Sequence, residues 1–151
     1  MTTIGFDAEF TQAGTPVRAF LDWESTPHAV IFGATGSGKT WACKGILANL
    51  FAKNRDAILY LCDFKGIDYA FTRGYDRAFL LNDCDRGFAH FFSLFENRLN
   101  GADKSKTPLF LCFDEWASWL TLKDKKTADE AKNQLAQMLM LGRAFNVHII
   151  I

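Results

Sequence analysis

The sequence lacks any long apolar run, and each run it has is far shorter than the ~18 residues that a membrane-spanning helix needs. Its first residues also lack the basic stretch followed by an apolar stretch that is typical of a signal peptide. These two absences predict an intracellular, cytoplasmic protein, unless a membrane-anchored partner or a membrane segment missing from this sequence attaches it to a membrane.

The chain also lacks paired cysteines and an excess of either charge. Cys43, Cys62, Cys84 and Cys112 are far apart and form no C-x-x-C pair, which favours buried, reduced thiols over a zinc site or a disulfide framework. Lys and Arg number seventeen, as do Asp and Glu. Overall charge therefore gives no reason to expect nucleic acid or an acidic membrane as a partner, and local loops would have to contact DNA.

What the sequence does contain is an alternation of short apolar runs and segments with helical spacing. Runs typical of buried strands cover residues 29–32, 57–62, 77–81, 109–113 and 147–151, and helical patterns cover 40–53, 88–99 and 127–145. This order predicts an α/β fold of three layers, with helices on both faces of a mostly parallel sheet. Residues 1–28 are expected to form a lead-in of a strand near Phe10, a Gly-Thr-Pro turn and a second strand or loop, and residues 29–151 the core.

A glycine-rich segment, GATGSGKT at residues 33–40, fits the pattern G-x-x-x-x-G-K-[ST] and lies between a predicted strand and a predicted helix. Backbone N–H groups of such a loop point at a polyphosphate, and the start of the helix adds its positive dipole end. Lys39 would reach the β- and γ-phosphates, and the Thr40 hydroxyl would hold Mg²⁺. A flexible surface loop could match by chance, but the strand before it and the helix after it favour nucleotide binding. The residues predicted to bind the nucleotide are Gly33, Ala34, Thr35, Gly36, Ser37, Gly38, Lys39, Thr40 and Trp41.

Two adjacent carboxylates, Asp114 and Glu115, end the apolar run at residues 109–113. Asp114 is the predicted metal ligand, and Glu115 the predicted catalytic residue that polarises an attacking water. One carboxylate is enough to hold a metal, so the second indicates hydrolysis. The alternative is that one of the two caps the helix predicted to follow, in EWASWL.

Other polar segments carry weaker signals. Residues 63–66, DFKG, follow a predicted strand at the edge where open α/β sheets bind ligands, although a plain exit from a strand looks the same. Arg143 would either reach a neighbouring subunit, DNA or a phosphate, or only interact favourably with a helix dipole. His148, alone on an apolar strand, is predicted to be a core residue.

Two further groups are predicted to be structural. Trp116 and Trp119 are expected to pack in the core or at a protein interface rather than to stack on a base. The lysine-rich segment at residues 123–126 is expected to be a solvated loop, with contact to a phosphate backbone as the alternative.

Together, the segments GATGSGKT, DFKG, LFLCFDEW and LGRAFNVHIII resemble the FtsK/HerA group of P-loop ATPases, in particular the FtsK/SpoIIIE-type DNA translocases and their conjugative-element relatives. The resemblance covers about residues 29–151. Phe64 stands where the family pattern has proline. The sequence ends at Ile151, where the family pattern continues into a polar sensor and further strands, so the core is expected to be truncated at its C-terminus.

The resemblance implies a RecA-like core that hydrolyses ATP with Mg²⁺ and moves double-stranded DNA through a hexameric ring. It assigns Lys39 and Thr40 to phosphate and Mg²⁺, Asp114 to the metal and Glu115 to water activation. Arg143 is a further catalytic candidate, and a ring would be required if it is supplied to a neighbouring subunit's site. The process would be chromosome partition or transfer of a plasmid or conjugative element. A non-hydrolysing ATP-binding switch, a truncated paralogue and a phage-packaging ATPase remain open alternatives.

Overall fold

The computed structural model describes residues 1–34 and 36–151, so the predicted nucleotide contact of Thr35 lies outside the described residues. The elements in chain order are β1 (Thr2–Phe6), α1 (Ala8–Gln12), β2 (Arg18–Leu21), β3 (His28–Ala29), α2 (Lys39–Lys53), β4 (Ile58–Asp63), β5 (Ala78–Leu80), α3 (Cys84–Leu99), β6 (Leu109–Asp114), α4 (Trp116–Thr121), α5 (Lys125–Leu141) and β7 (Val147–Ile150). Short 3-10 turns cover Ala70–Thr72, Leu81–Asp83 and Gly142–Phe145.

Five strands form the central sheet in the order β3-β7-β6-β4-β5, and every neighbouring pair is parallel. One apolar cluster covers the face on which α3 and α5 pack, and a second cluster covers the face on which α2 packs. The predicted α/β fold of three layers is therefore confirmed. Because the strands are parallel, the loops after β3, β4 and β6 all leave the same edge of the sheet.

Strand β6 shows how the sheet assigns side chains to its two faces. Leu109, Leu111 and Phe113 belong to the cluster under α3 and α5, whereas Phe110 and Cys112 belong to the cluster under α2. Successive side chains of a strand point to opposite faces. The same alternation places Asp114 on the face of α2, the helix that begins at the glycine-rich loop.

The lead-in differs from the prediction. The segment predicted as a strand near Phe10 is helix α1, because the Asp7 carboxylate accepts hydrogen bonds from the N–H groups of Glu9 and Phe10 and so caps a helix. Strands β1 and β2 pair antiparallel, as a separate two-stranded sheet. Trp23 is buried and its Nε1 donates to the Thr2 hydroxyl at 2.9 Å, which ties this region to the cluster under α2.

Other boundaries also differ from the predictions. Strand β3 ends at Ala29 rather than at residue 32, although the N–H of Ile31 still donates to the carbonyl of Ile151. The last helix ends at Leu141, and a 3-10 turn covers Gly142–Phe145. The prediction of a helix to residue 145 was therefore wrong at its end, because the chain tightens there before it enters β7.

Buried polar and sulfur groups agree with the sequence analysis. All four cysteines are buried and free, and the sulfur atoms of Cys43 and Cys112 lie 3.3 Å apart between α2 and β6. His148 is buried and stacks on Phe110 with ring centroids 4.5 Å apart, which confirms that it is a core residue. None of the helices in the described part of the chain is long and apolar enough to span a membrane.

The two helical glycines, Gly87 and Gly45, give a matched test of how tightly the helices pack on the sheet. A Cβ at Gly87 would lie 2.5 Å from the ring of Phe79, whereas a Cβ at Gly45 would meet nothing within 4 Å. We expect Gly87→Ala to lower the free energy of unfolding by about 1–3 kcal/mol through overpacking. Gly45→Ala should raise it by up to about 1 kcal/mol through helix propensity. Urea unfolding measures both, and an unchanged stability of Gly87→Ala would contradict the packing of α3 on β5.

Candidate functional site

The glycine-rich loop connects β3 to α2 and has the backbone shape that an anion-binding loop needs. Gly36 and Gly38 have φ angles of 78° and 89°, in the left-handed region that only glycine adopts without strain. Within the described residues, no side chain caps the start of α2, so its first N–H groups remain available to a ligand. A loop of this shape at a helix start favours the binding of a phosphate.

Lys39, the first residue of α2, turns its side chain back over this loop. Its Nζ donates to the carbonyl oxygens of Gly33 at 2.9 Å and Ala34 at 3.0 Å. The ammonium group therefore lies against the carbonyl oxygens at the start of the loop. A bound phosphate would exchange these two neutral acceptors for a charged one, which forms stronger hydrogen bonds.

Asp114 and Glu115 stand across from the loop. A cavity of about 270 Å³ is lined by both carboxylates and by Lys39. The pKa of Glu115 is lowered mainly by a hydrogen bond from Lys65, and the positive charge of Lys39 lowers it further. The structure thus brings the lysine of the glycine-rich loop and the two strand-end acids to one cavity, and their roles toward a nucleotide stay predictions.

Asp114 is half-buried and electrostatically unfavourable in its charged form. Burial raises the pKa of its carboxyl, and the nearby charges of Asp63, Glu115 and Asp68 raise it further. Its Oδ2 is buried and has no hydrogen-bond partner within residues 1–34 and 36–151. Carboxylate oxygens of Asp63, Asp68 and Asp114 lie within 4.8 Å of one another.

These features fit a divalent cation, which carboxylate oxygens bind and which would satisfy the unpartnered Oδ2. Asp114 and Asp68 would hold it, with the hydroxyl of Thr40 on the first turn of α2 as the further predicted ligand. The sequence analysis missed Asp68. It lies in the loop after β4, five residues beyond Asp63, where no motif singles it out.

The DFKG segment forms an ordered turn rather than a plain exit from β4. Asp63 is fully buried, and its carboxylate accepts from the N–H groups of Gly66 at 3.0 Å and Tyr69 at 2.9 Å. Gly66 has a φ of 69°, and a Cβ there would lie 2.6 Å from the side chain of Leu81. The turn therefore needs both Asp63 and Gly66, and it presents Lys65 to the cavity edge.

Glu115 is held by two side chains. Lys65 Nζ donates to its Oε1 in an ion pair, and Ser118 Oγ donates to its Oε2 at 2.9 Å. The hydrogen bond from Lys65 is the main reason why the pKa of Glu115 is lowered. Glu115 precedes α4 with a φ of 64°, and its side chain makes no capping hydrogen bond to that helix. The structure therefore does not show the helix-capping alternative for Glu115. The sequence analysis did not identify Ser118, three residues further on.

Of the predicted site residues, Lys39, Asp114 and Glu115 line this cavity, whereas Arg143 and Trp41 do not. Arg143 is exposed and precedes β7, so it lies at the edge where the strands begin, opposite the edge that carries Asp114 and Glu115. Trp41 is 79% exposed on the first turn of α2, with the ammonium of Lys44 5.3 Å from its ring centroid. Arg143 therefore does not reach the site of its own chain.

The tryptophans and lysines after Glu115 are mainly structural. Trp119 is buried and packs 4.9 Å from both Phe113 and Trp116, measured between ring centroids, which confirms that the tryptophans pack. Lys123 pairs with Asp85 at 2.7 Å and lies over the ring of Trp119. Lys125 begins α5. The prediction of a solvated loop at residues 123–126 was wrong, because Lys123 is bound within the fold and α5 starts earlier than expected.

Residues 9–144 match the family described as helicase HerA, central domain. The chain is 25% identical over 96% of its length to the FtsK domain-containing protein YdcQ of Bacillus subtilis (strain 168), of which it covers 34%.

Solved structures show the same fold. The pCW3 conjugation coupling protein TcpA, in its monomer form with ATPγS, matches with a TM-score of 0.67 and 18% identity, over 98% of this chain and 51% of that chain. The cytoplasmic domain of EssC matches with a TM-score of 0.65 and 19% identity, over 99% of this chain and 29% of that chain. The chain thus spans between 29% and 51% of the length of these relatives.

Asp114→Asn tests whether the charge on the Asp114 carboxylate destabilises the folded chain. The amide keeps the shape of the side chain and removes its repulsion with Asp63, Asp68 and Glu115, so we expect the thermal midpoint to rise by about 2–4 °C without added metal. Differential scanning calorimetry measures this shift.

Asp129→Asn is the matched control, because Asp129 is exposed on α5, outside the site, and pairs with Lys132. Its midpoint should stay nearly unchanged. A lower midpoint for Asp114→Asn would show that the Asp114 carboxylate stabilises the fold.

Proposed function

Because the chain belongs to the family of the helicase HerA central domain, an FtsK/HerA-type ATPase family, we propose that it is the ATP-binding and ATP-hydrolysing motor domain of an FtsK/SpoIIIE-like DNA translocase. The observation that carries this proposal is the cavity shared by Lys39, Asp114 and Glu115. A loop that binds phosphate needs no second acid opposite it. An enzyme that hydrolyses the nucleotide does need a base there.

Binding begins with the glycine-rich loop. The N–H groups at the start of α2 and the ammonium of Lys39 would hold the β- and γ-phosphates of ATP. Trp41, exposed beside the loop, is the proposed contact to the rest of the nucleotide. Asp114, Asp68 and Thr40 would hold Mg²⁺, which supplies charge neutralisation on the phosphate oxygens when it is bound.

Hydrolysis would use Glu115 as the base. Its carboxylate accepts a proton from a water molecule while the oxygen of that water forms a bond to the γ-phosphorus. The bond from the γ-phosphorus to the bridging oxygen breaks, and ADP and phosphate leave. Lys39 stabilises the negative charge on the transferred group, an electrostatic contribution that is large in a site shielded from water.

Arg143 is proposed to complete the site of a neighbouring subunit. It lies at the far edge of the sheet in its own chain and is exposed, so the ATP site that it could reach is one in another copy. An arginine supplied in trans stabilises transition-state charge in other P-loop enzymes. This geometry supports a ring, and a homo-hexamer is the form we propose.

The proposed cargo is double-stranded DNA, in chromosome partition or in transfer of a plasmid or conjugative element. Support comes from the similarity to an FtsK domain-containing protein and to a protein described as a conjugation coupling protein. We also propose a cytoplasmic location, as the description of the EssC domain states for that protein.

Two variants separate binding from hydrolysis. We expect Lys39→Ala to abolish ATP binding, because it removes the charge on the phosphates. Glu115→Gln should keep ATP binding but lower phosphate release at least about 100-fold, since it removes the base. Glu130→Gln on α5 is the matched control and should behave as the unmodified chain. Isothermal titration calorimetry measures binding, and a phosphate-release assay with and without double-stranded DNA measures turnover.

DNA should increase phosphate release by the unmodified chain several-fold. Tight retention of ATP with no release, with or without DNA, would instead identify a nucleotide-dependent switch. Unchanged turnover in Glu115→Gln would remove Glu115 from its proposed role.

Mixing two inactive variants tests whether Arg143 acts in trans. Arg143→Ala subunits keep an intact phosphate loop and Glu115, and Glu115→Gln subunits keep Arg143. Each variant alone should be inactive, and an equimolar mixture should regain part of the ATPase activity, because some interfaces combine both intact parts. Full activity of Arg143→Ala alone, or a mixture that stays inactive, would contradict the role in trans.

A further inference from the structure

We propose that Lys65 is a positioning residue for Glu115: it restrains the carboxylate, and it must release that carboxylate before Glu115 can accept a proton from water. This inference rests on the hydrolytic function proposed for the same site. It assigns a role to the DFKG turn, which the proposed function does not otherwise use.

The restraint follows from the partners of the Glu115 carboxylate. One oxygen accepts from Lys65 and the other from Ser118, so each oxygen already has a donor. The carboxylate is also only 25% exposed, which limits the directions from which a water can approach. A water that approaches the Glu115 carboxylate must therefore share it with two donors that are already in place.

The fold itself places Lys65 beside Glu115, because hydrogen bonds hold the DFKG turn in position. Two hydrogen bonds from backbone N–H groups hold the buried Asp63 carboxylate inside the turn. The N–H of Phe64 donates to the carbonyl of Asp114 and so joins the turn to the end of β6. Lys65 is thereby carried by a hydrogen-bonded turn that follows β4, beside β6, the strand that Glu115 follows.

The exposure of Lys65 limits the strength of the restraint. Its side chain is 51% exposed, and ion pairs at such positions are weak. A weak ion pair can break in each turnover, and its removal should change kcat by a small factor.

Lys65→Met tests the restraint, because it removes the charge and keeps the apolar stem. We expect its kcat for ATP hydrolysis without DNA to rise two- to five-fold at an unchanged KM, since Lys39 and the loop still bind the phosphates. Lys65→Arg should have the same low kcat as the unmodified chain, because the guanidinium can pair with Glu115.

Lys132→Met is the matched control for the loss of an exposed ion pair. Lys132 is 56% exposed and pairs with Asp129 at 3.1 Å on α5, outside the site. Its kcat should not change. A kcat of Lys65→Met that stays at or falls below that of the unmodified chain would overturn the restraint.

A second readout does not depend on turnover. In a ¹H–¹⁵N correlation spectrum of the lysine NH₃⁺ groups, the Lys65 signal should exchange slowly with solvent and should lose this protection in Glu115→Gln. Addition of Mg²⁺ with ATPγS should remove the protection in the unmodified chain. Protection that persists at saturating ATPγS would overturn the release step.

The two proposals fail in different ways. If the unmodified chain binds ATP and releases no phosphate, hydrolysis as the function fails, and the catalytic role of Lys65 fails with it. If the unmodified chain hydrolyses ATP and Lys65→Met does not raise its kcat, only the role of Lys65 is overturned.

Discussion

The parallel register between β4 and β6 places the reactive groups of this protein. It pairs Asp63 with Asp114 at the last position of both strands, so the turn after β4 and the carboxylates after β6 leave the sheet side by side. Side chains alternate along a strand, and a slip of one residue would move Asp114 to the opposite face. The same register holds Lys65 next to Glu115. Both the proposed metal site and the proposed control of the base therefore depend on the pairing of two neighbouring strands.

The two adjacent acids have opposite electrostatic environments. Burial and neighbouring carboxylates disfavour the charge on Asp114, whereas Lys65 and Ser118 favour the charge on Glu115. This environment suits Asp114 to the proposed cation, whereas the Glu115 carboxylate is held by Lys65 and Ser118. Adjacent carboxylates with different environments can take different chemical roles. The positive φ of Glu115 separates them, because it turns the chain from the end of β6 into α4.

Local patterns were sufficient to predict the glycine-rich loop, the two strand-end acids and the layered fold, since each depends on residues that are close in sequence. The capping of α1 by Asp7 was missed because a single side chain decides between helix and strand there. The Lys65–Glu115 pair joins residues fifty positions apart, and only the order of the strands brings them together. Asp68 was missed for the same reason. The boundary between a lead-in at residues 1–28 and a core at 29–151 stays a prediction.

The central claim is that the glycine-rich loop and the Asp114–Glu115 pair act on one triphosphate. A crystal structure of the chain with Mg²⁺ and ATPγS tests it most directly. We expect Lys39 Nζ to leave the carbonyl oxygens of Gly33 and Ala34 for the phosphates, with the metal beside Asp114 and the γ-thiophosphate facing Glu115. A nucleotide bound elsewhere, or phosphates held by the loop with Asp114 and Glu115 remote from them, would contradict the account.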